Sequence, residues 1–199
     1  MSAAVVSGDL ESDRHRTRPL TFQVGASLAI VGSLMYVSLG GKEPRDAWIN
    51  PVGVVGAVVG TVACILLSYA LVQWRTTLPR WAVLTSAVGI WFAGACSWSY
   101  ATLMPGMADA TSTPAEFDDL VSNDFWMVVF PLGPKSLLCL VGFLAIAIAG
   151  WRSRAIPRSA CVFFGIGAIL SIWPPYPPGL IMGSIALLIV ARSESLRQR

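Results

Sequence analysis

Apolar residues in this 199-residue chain gather into long runs, and polar ones into the short gaps between them. Six runs stand out: 21–40, 51–73, 81–104, 125–150, 159–173 and 178–191. Together they hold 122 residues and one formal charge, Lys135, while the other 24 charges fall in the remaining 77 residues. A water-soluble core needs no such segregation, whereas ~20-residue helices crossing ~30 Å of hydrocarbon require it. The pattern predicts an all-α transmembrane fold, a six-helix bundle over residues 19–192 flanked by polar tails at 1–18 and 193–199.

The first three runs match a crossing directly. The fourth, Phe125–Gly150, is long and contains Pro131 and Pro134, which predicts a kink or an interfacial turn ahead of a helix starting near Pro134. The last two are short and joined by Trp173-Pro-Pro-Tyr-Pro-Pro178, which must turn in an extended conformation. Because 159–173 supplies only ~22 Å of helix, the expected final hairpin is two tilted spans, with a re-entrant loop as the alternative.

Basic residues orient the chain. Arg14, Arg16, Arg18, Arg75, Arg80, Arg152, Arg154, Arg158, Arg192, Arg197 and Arg199 fall in alternate polar segments, and only Lys42 and Arg45 in the others. Eleven against two predicts that both termini are cytoplasmic. The expected external loop 105–124 has no lysine or arginine but carries Asp109, Glu116, Asp118, Asp119 and Asp124. Trp48, Trp126 and Trp173 fall at expected outer boundaries, and Trp74, Trp81 and Trp151 at inner ones, where an amphipathic indole prefers to sit. The plasma membrane, as the inner membrane of a bacterium, is the expected location.

Composition adds exclusions. Charged residues are 13% of the chain, against roughly 25% in soluble domains, and mean hydropathy is +0.65. The polar segments are too short for a separate soluble domain. The basic residues sit beside apolar runs, which is a topology signal and not a nucleic-acid footprint. Cys64, Cys96, Cys139 and Cys161 lie one each in runs two to five, without a CxxC pair, so no disulfide framework or zinc site is expected. His15, the only histidine, lies in the charged N-terminal segment, which removes most chemistry needing an imidazole. That segment carries Asp9, Glu11 and Asp13 ahead of its arginines and no A-x-A site follows, so an uncleaved first helix is expected.

Two segments echo each other: Trp74-Arg-Thr-Thr-Leu-Pro-Arg80 and Trp151-Arg-Ser-Arg-Ala-Ile-Pro-Arg158. Each is read as an inner corner, with Gly89 and Gly167 ten residues beyond the proline, which predicts a parallel repeat of spans two–three and four–five. Convergent boundary chemistry explains the same residues, and Pro19 ahead of the first run repeats the device without a wider repeat. This corner and the proline-rich final hairpin resemble those of uncharacterised actinobacterial multi-pass integral membrane proteins, over residues 140–192. The resemblance implies a multi-pass protein and hands over no activity, cofactor or site residue.

Small residues mark expected helix contacts: Gly53, Gly56 and Gly60 in the second run, Gly89, Ala93 and Ser97 in the third, Gly179 and Gly183 in the last. Packing within the bundle is expected of them, with homodimerisation as the alternative. Lys135 is the outstanding site candidate, since an ammonium costs roughly 2.5–3.5 kcal/mol at a bilayer centre on insertion scales and less near the interface. It is expected to snorkel to headgroups, or to point into the bundle as a binding or gating charge paired with Asp118, Asp119 or Asp124. Trp91 and Trp98, seven apart on one face, are candidates either for lining a cation-binding cavity or for helix packing. Thr113, Pro114 and Glu116 open a short amphipathic helix with Phe117, Leu120 and Val121 on one side.

No phosphate loop, metal cluster or nucleophile–base pair is visible, so neither an enzyme nor a cofactor is expected. Two functional classes remain. One is a carrier or binding bundle for a small molecule or lipid. The other is an accessory subunit packing against a larger membrane complex through its glycine faces. The lipid bilayer is the expected partner of either.

Overall fold

The computed structural model describes residues 3–40, 42, 44–74, 76–123, 125–172 and 177–197. Among them are eight helices and no strand: α1 (Ala3–Val37), α2 (Pro44–Ile49), α3 (Pro51–Gln73), α4 (Arg80–Asp109), α5 (Pro114–Asn123), α6 (Phe125–Ser153), α7 (Arg158–Leu170) and α8 (Pro177–Arg197). Five are long and apolar enough to cross a membrane, over Leu20–Val37, Pro51–Gln73, Arg80–Asp109, Gly133–Ser153 and Pro178–Leu196. The sixth apolar helix, α7, has 13 residues, about 20 Å of rise against the ~30 Å of a hydrocarbon core.

Several boundaries differ from the sequence expectation. α1 runs through Pro19 and continues back to Ala3, where the sequence pattern has a polar tail. α4 passes Met104 and Pro105 and ends at Asp109. Its last turn is held from outside the helix: the Arg45 guanidinium, on α2, donates to the Ala108 carbonyl at 3.2 Å and the Thr111 carbonyl at 2.7 Å. A cation filling the open acceptors at a helix C-terminus also opposes the negative end of the helix dipole. α6 is continuous through Pro131 and Pro134, so the helix does not start near Pro134. α8 runs beyond Ala191 to Arg197. Much of the Trp173–Pro178 turn lies outside the described residues, as do Asp124 and the side chains of Trp48 and Trp126.

Each long helix packs on its neighbour in the chain, α1 on α3, α3 on α4, α4 on α6, α6 on α7 and α7 on α8, and α8 returns to pack on α1. Glycines set how closely these pairs approach. A methyl placed on Gly32 of α1 would lie 2.8 Å from the Gly56 carbonyl oxygen and 2.9 Å from the Gly60 nitrogen of α3. One placed on Gly89 of α4 would lie 2.8 Å from the Cys139 nitrogen of α6, and one on Gly167 of α7 would lie 3.1 Å from both the Gly179 oxygen and the Gly183 nitrogen of α8. Such backbone proximity maximises dispersion contact where lipid removes the usual hydrophobic drive between helices.

Two ends of the bundle follow. At the basic end, the Phe22 ring meets Trp74 edge-on at 5.8 Å, and the Trp74 indole N–H donates to Glu194 at 2.8 Å. The start of the apolar part of α1, the end of α3 and the end of α8 therefore share one level. At the acidic end, Tyr36 stacks on Tyr100 with centroids 6.4 Å apart, and α5 lies against the end of α4 through Phe117. The expected capping box of α5 is formed: Glu116 N–H donates to Thr113 Oγ1 at 3.2 Å, and Glu116 Oε2 accepts from the N–H groups of Ser112 and Thr113.

Candidate functional site

Apolar packing inside the bundle comes in two separate clusters. The larger fills the basic half, from Phe22, Trp74 and Ala82 up to Ala93 on α4, Cys139 and Phe143 on α6, and Leu180 on α8. The smaller, at the acidic end, joins Met104 and Ala108 of α4 to Phe117 of α5, with Tyr100, Met107 and Val121 beside it. On α4 the stretch between the two holds buried Cys96 and Ser97, which belong to neither. One turn of α6 beyond Cys139, Lys135 enters the same layer.

Lys135 is 3% exposed and is the only charged side chain among the buried described residues. About 24 Å of helix rise separates it from Trp151 at the basic end of α6. It lines a void of ≈ 10 Å³ together with Ala93, Cys139, Phe143, Ser171 and Leu180, about the room one water needs. Cys96 and Cys139 lie within electrostatic reach of its ammonium. Ser171, at the end of α7, turns its hydroxyl to the Gly167 carbonyl at 2.7 Å, so the wall of the void at that point is polar but satisfied. Two other buried hydroxyls, Ser33 on α1 and Ser184 on α8, have no hydrogen-bond partner among the described residues.

The short α7 explains how a charge comes to be here. Because α7 ends at Leu170, Ser171 just past its end and Leu180 near the start of α8 border the void beside Lys135. A full-length helix would carry apolar side chains past this level. The lysine thus occupies the place left where one wall of the bundle stops early.

Of the acids expected to join it, two lie on α5. Asp118 and Asp119 are exposed on α5, whose buried contact is Phe117. Asp124 lies outside the described residues. Trp91 and Trp98 are 56% and 55% exposed, on the outward face of α4. The inward face of α4 is mostly small, with Ala82, Ser86, Gly89, Ala93, Gly94 and Ser97 beside Val83 and Ile90, and α3 and α6 both pack against this helix. An indole has no room there. The glycines Gly56, Gly60, Gly89, Gly179 and Gly183 all lie at helix contacts within the chain.

Sequence reading missed Cys96, Ser97 and Ser171 as neighbours of the lysine layer. The only sequence signal was the small-residue step through Ser97, which reads equally well as a packing face. Among the described residues no group of three or more His, Cys, Asp or Glu is placed to hold a metal ion. Comparison with known families, curated proteins and solved structures finds no match.

Proposed function

We propose that this chain is a six-span membrane bundle that binds a small molecule or lipid at the Lys135 layer, the ligand entering from the acidic end and parting the side chains that close the one-water void there. One observation carries the reading: a lysine 3% exposed, set between two apolar clusters at a level where α7 has already ended. Burying a charge at membrane depth is costly and marks a functional position by default. The larger apolar cluster seals the route to the basic end, so the arrangement favours a binding site or carrier over an open pore.

The topology belongs to the same proposal. The excess of arginine at the basic end and the meeting of Phe22 and Glu194 at Trp74 support cytoplasmic termini on one side. The α7 crossing then requires tilt or a locally thinned bilayer. A parallel repeat of α3–α4 and α6–α7 is supported by the shared corner motif and by each pair packing consecutively. The accessory-subunit reading loses its main feature, because the glycine seams are filled within the chain.

Native mass spectrometry of protein purified in mild detergent tests the site. One small-molecule or lipid adduct is expected on the wild type that Lys135→Met loses and Arg80→Gln keeps. Identical spectra from the wild type and Lys135→Met contradict the reading.

A further inference from the structure

The α3–α4 corner at the basic end carries a second site, unrelated to Lys135. A concavity of ≈ 630 Å³ opens there, lined by Val72, Gln73, Trp74, Thr76, Thr77 and Arg80. Its volume is in the range of small-molecule sites. Arg80 supplies the only charge among these lining residues, and its guanidinium is fixed: Nη2 donates to the Val72 carbonyl at 2.6 Å and Nη1 to the Trp74 carbonyl at 3.2 Å. Two of the five N–H donors of an arginine are so used, and three remain for a further acceptor. Holding the fork in place beforehand removes much of the ordering cost of binding an anion. Glu194 is engaged by the Trp74 indole and is not among the residues that line the concavity.

The surroundings suit one class of anion. Directly below the corner, the outward faces of the packed helices α3 and α4 expose Tyr69 and Val72 on one side and Trp81, Leu84 and Val88 on the other. A polar concavity with one fixed guanidinium and two threonines, continuous with an apolar and aromatic wall, matches a phosphodiester on two acyl chains. We propose that this corner seats the headgroup of an anionic phospholipid from the leaflet at the basic end. The echoing corner is built otherwise. There Arg158 lies over the Trp151 ring at 5.3 Å and Trp151 is exposed, whereas Trp74 is buried. The two corners therefore differ in what they offer a phosphate, although their sequences rhyme.

The test is lipid binding by native mass spectrometry on the purified full chain, titrated separately with phosphatidylglycerol, phosphatidylcholine and inorganic phosphate. The proposal expects one phosphatidylglycerol bound in preference to phosphatidylcholine, and a loss of affinity of about tenfold in Arg80→Gln, as for a charge-assisted bidentate contact. Arg158→Gln keeps wild-type affinity. Thr77→Val, which leaves both guanidinium bonds in place, weakens binding by a smaller factor and guards against misfolding of the arginine variant. Equal losses in Arg80→Gln and Arg158→Gln overturn the proposal, since they report general charge attraction. So does inorganic phosphate binding as well as the lipid, or no preference between the two lipids.

Discussion

The indole N–H of Trp74, at the end of α3, donates to a carboxylate oxygen of Glu194 on α8, 2.8 Å away across 120 residues of chain. With Phe22 packed edge-on against the same indole, one tryptophan ties the first, third and last helices together. Hydrogen bonds to charged groups contribute about 1.5–3 kcal/mol, although half-buried Glu194 regains some water when the indole is lost. Trp74→Phe is therefore expected to destabilise the protein by about 2 kcal/mol, and Glu194→Gln by less, because an amide oxygen still accepts. Thermal unfolding in detergent of both variants and the double mutant checks this. Strictly additive effects show that the pair is not coupled.

The glycines divide into two groups with opposite expected responses to alanine. Gly89→Ala drives a methyl to 2.8 Å from the Cys139 backbone nitrogen, where only a shift of the whole α4–α6 contact makes room. A loss of about 1–3 kcal/mol follows, as for other overpacked sites. Gly106 and Gly165, both helical, have open space at the same point, and alanine there should add about 0.5–1 kcal/mol of helix stability. Denaturation midpoints of the three single variants decide it, and destabilisation at all three positions contradicts the helix contacts described above.

Arg45 bears on how α4 ends. Without its two bonds to the Ala108 and Thr111 carbonyls, the end of α4 is held only by its own Thr111 hydroxyl and the Ala110 N–H. Arg45→Met should raise amide hydrogen exchange from Met104 to Thr111 and leave the middle of α4 unchanged, corresponding to about 1–2 kcal/mol of local stability. Unchanged exchange in that segment contradicts the capping role.

Those contacts also show which part of the fold the sequence could reveal. The apolar runs were legible because a span is a local property: twenty residues either lack charges or they do not. The capping box of α5 was legible for the same reason, since Thr113 and Glu116 are neighbours in the chain. The end of α4 was not, because Arg45 acts on it from more than sixty residues away. Nor was the difference between the two corners, where similar motifs leave Trp74 buried and Trp151 exposed. That difference depends on which helix arrives opposite each indole. Trp91 and Trp98 were placed on one face correctly, yet helical spacing does not say whether a face points inward. Lys135 stood out in the sequence, but its neighbours come from α4, the end of α7 and the start of α8, and only the early end of α7 brings them together.

The proposed site lies closed in the acidic half of the bundle, reached past α5 from the face opposite the termini. Cys96, 2% exposed and within electrostatic reach of Lys135, reports on it directly. The decisive measurement is labelling of Cys96 by a membrane-impermeant thiol reagent, in membranes and in a Cys64→Ala, Cys139→Ala, Cys161→Ala background. The account predicts no labelling from either side with Phe117 intact, and labelling from outside alone once Phe117→Ala loosens α5 from Met104 and Ala108. Labelling from the cytoplasmic side, or continued protection in Phe117→Ala, would contradict it.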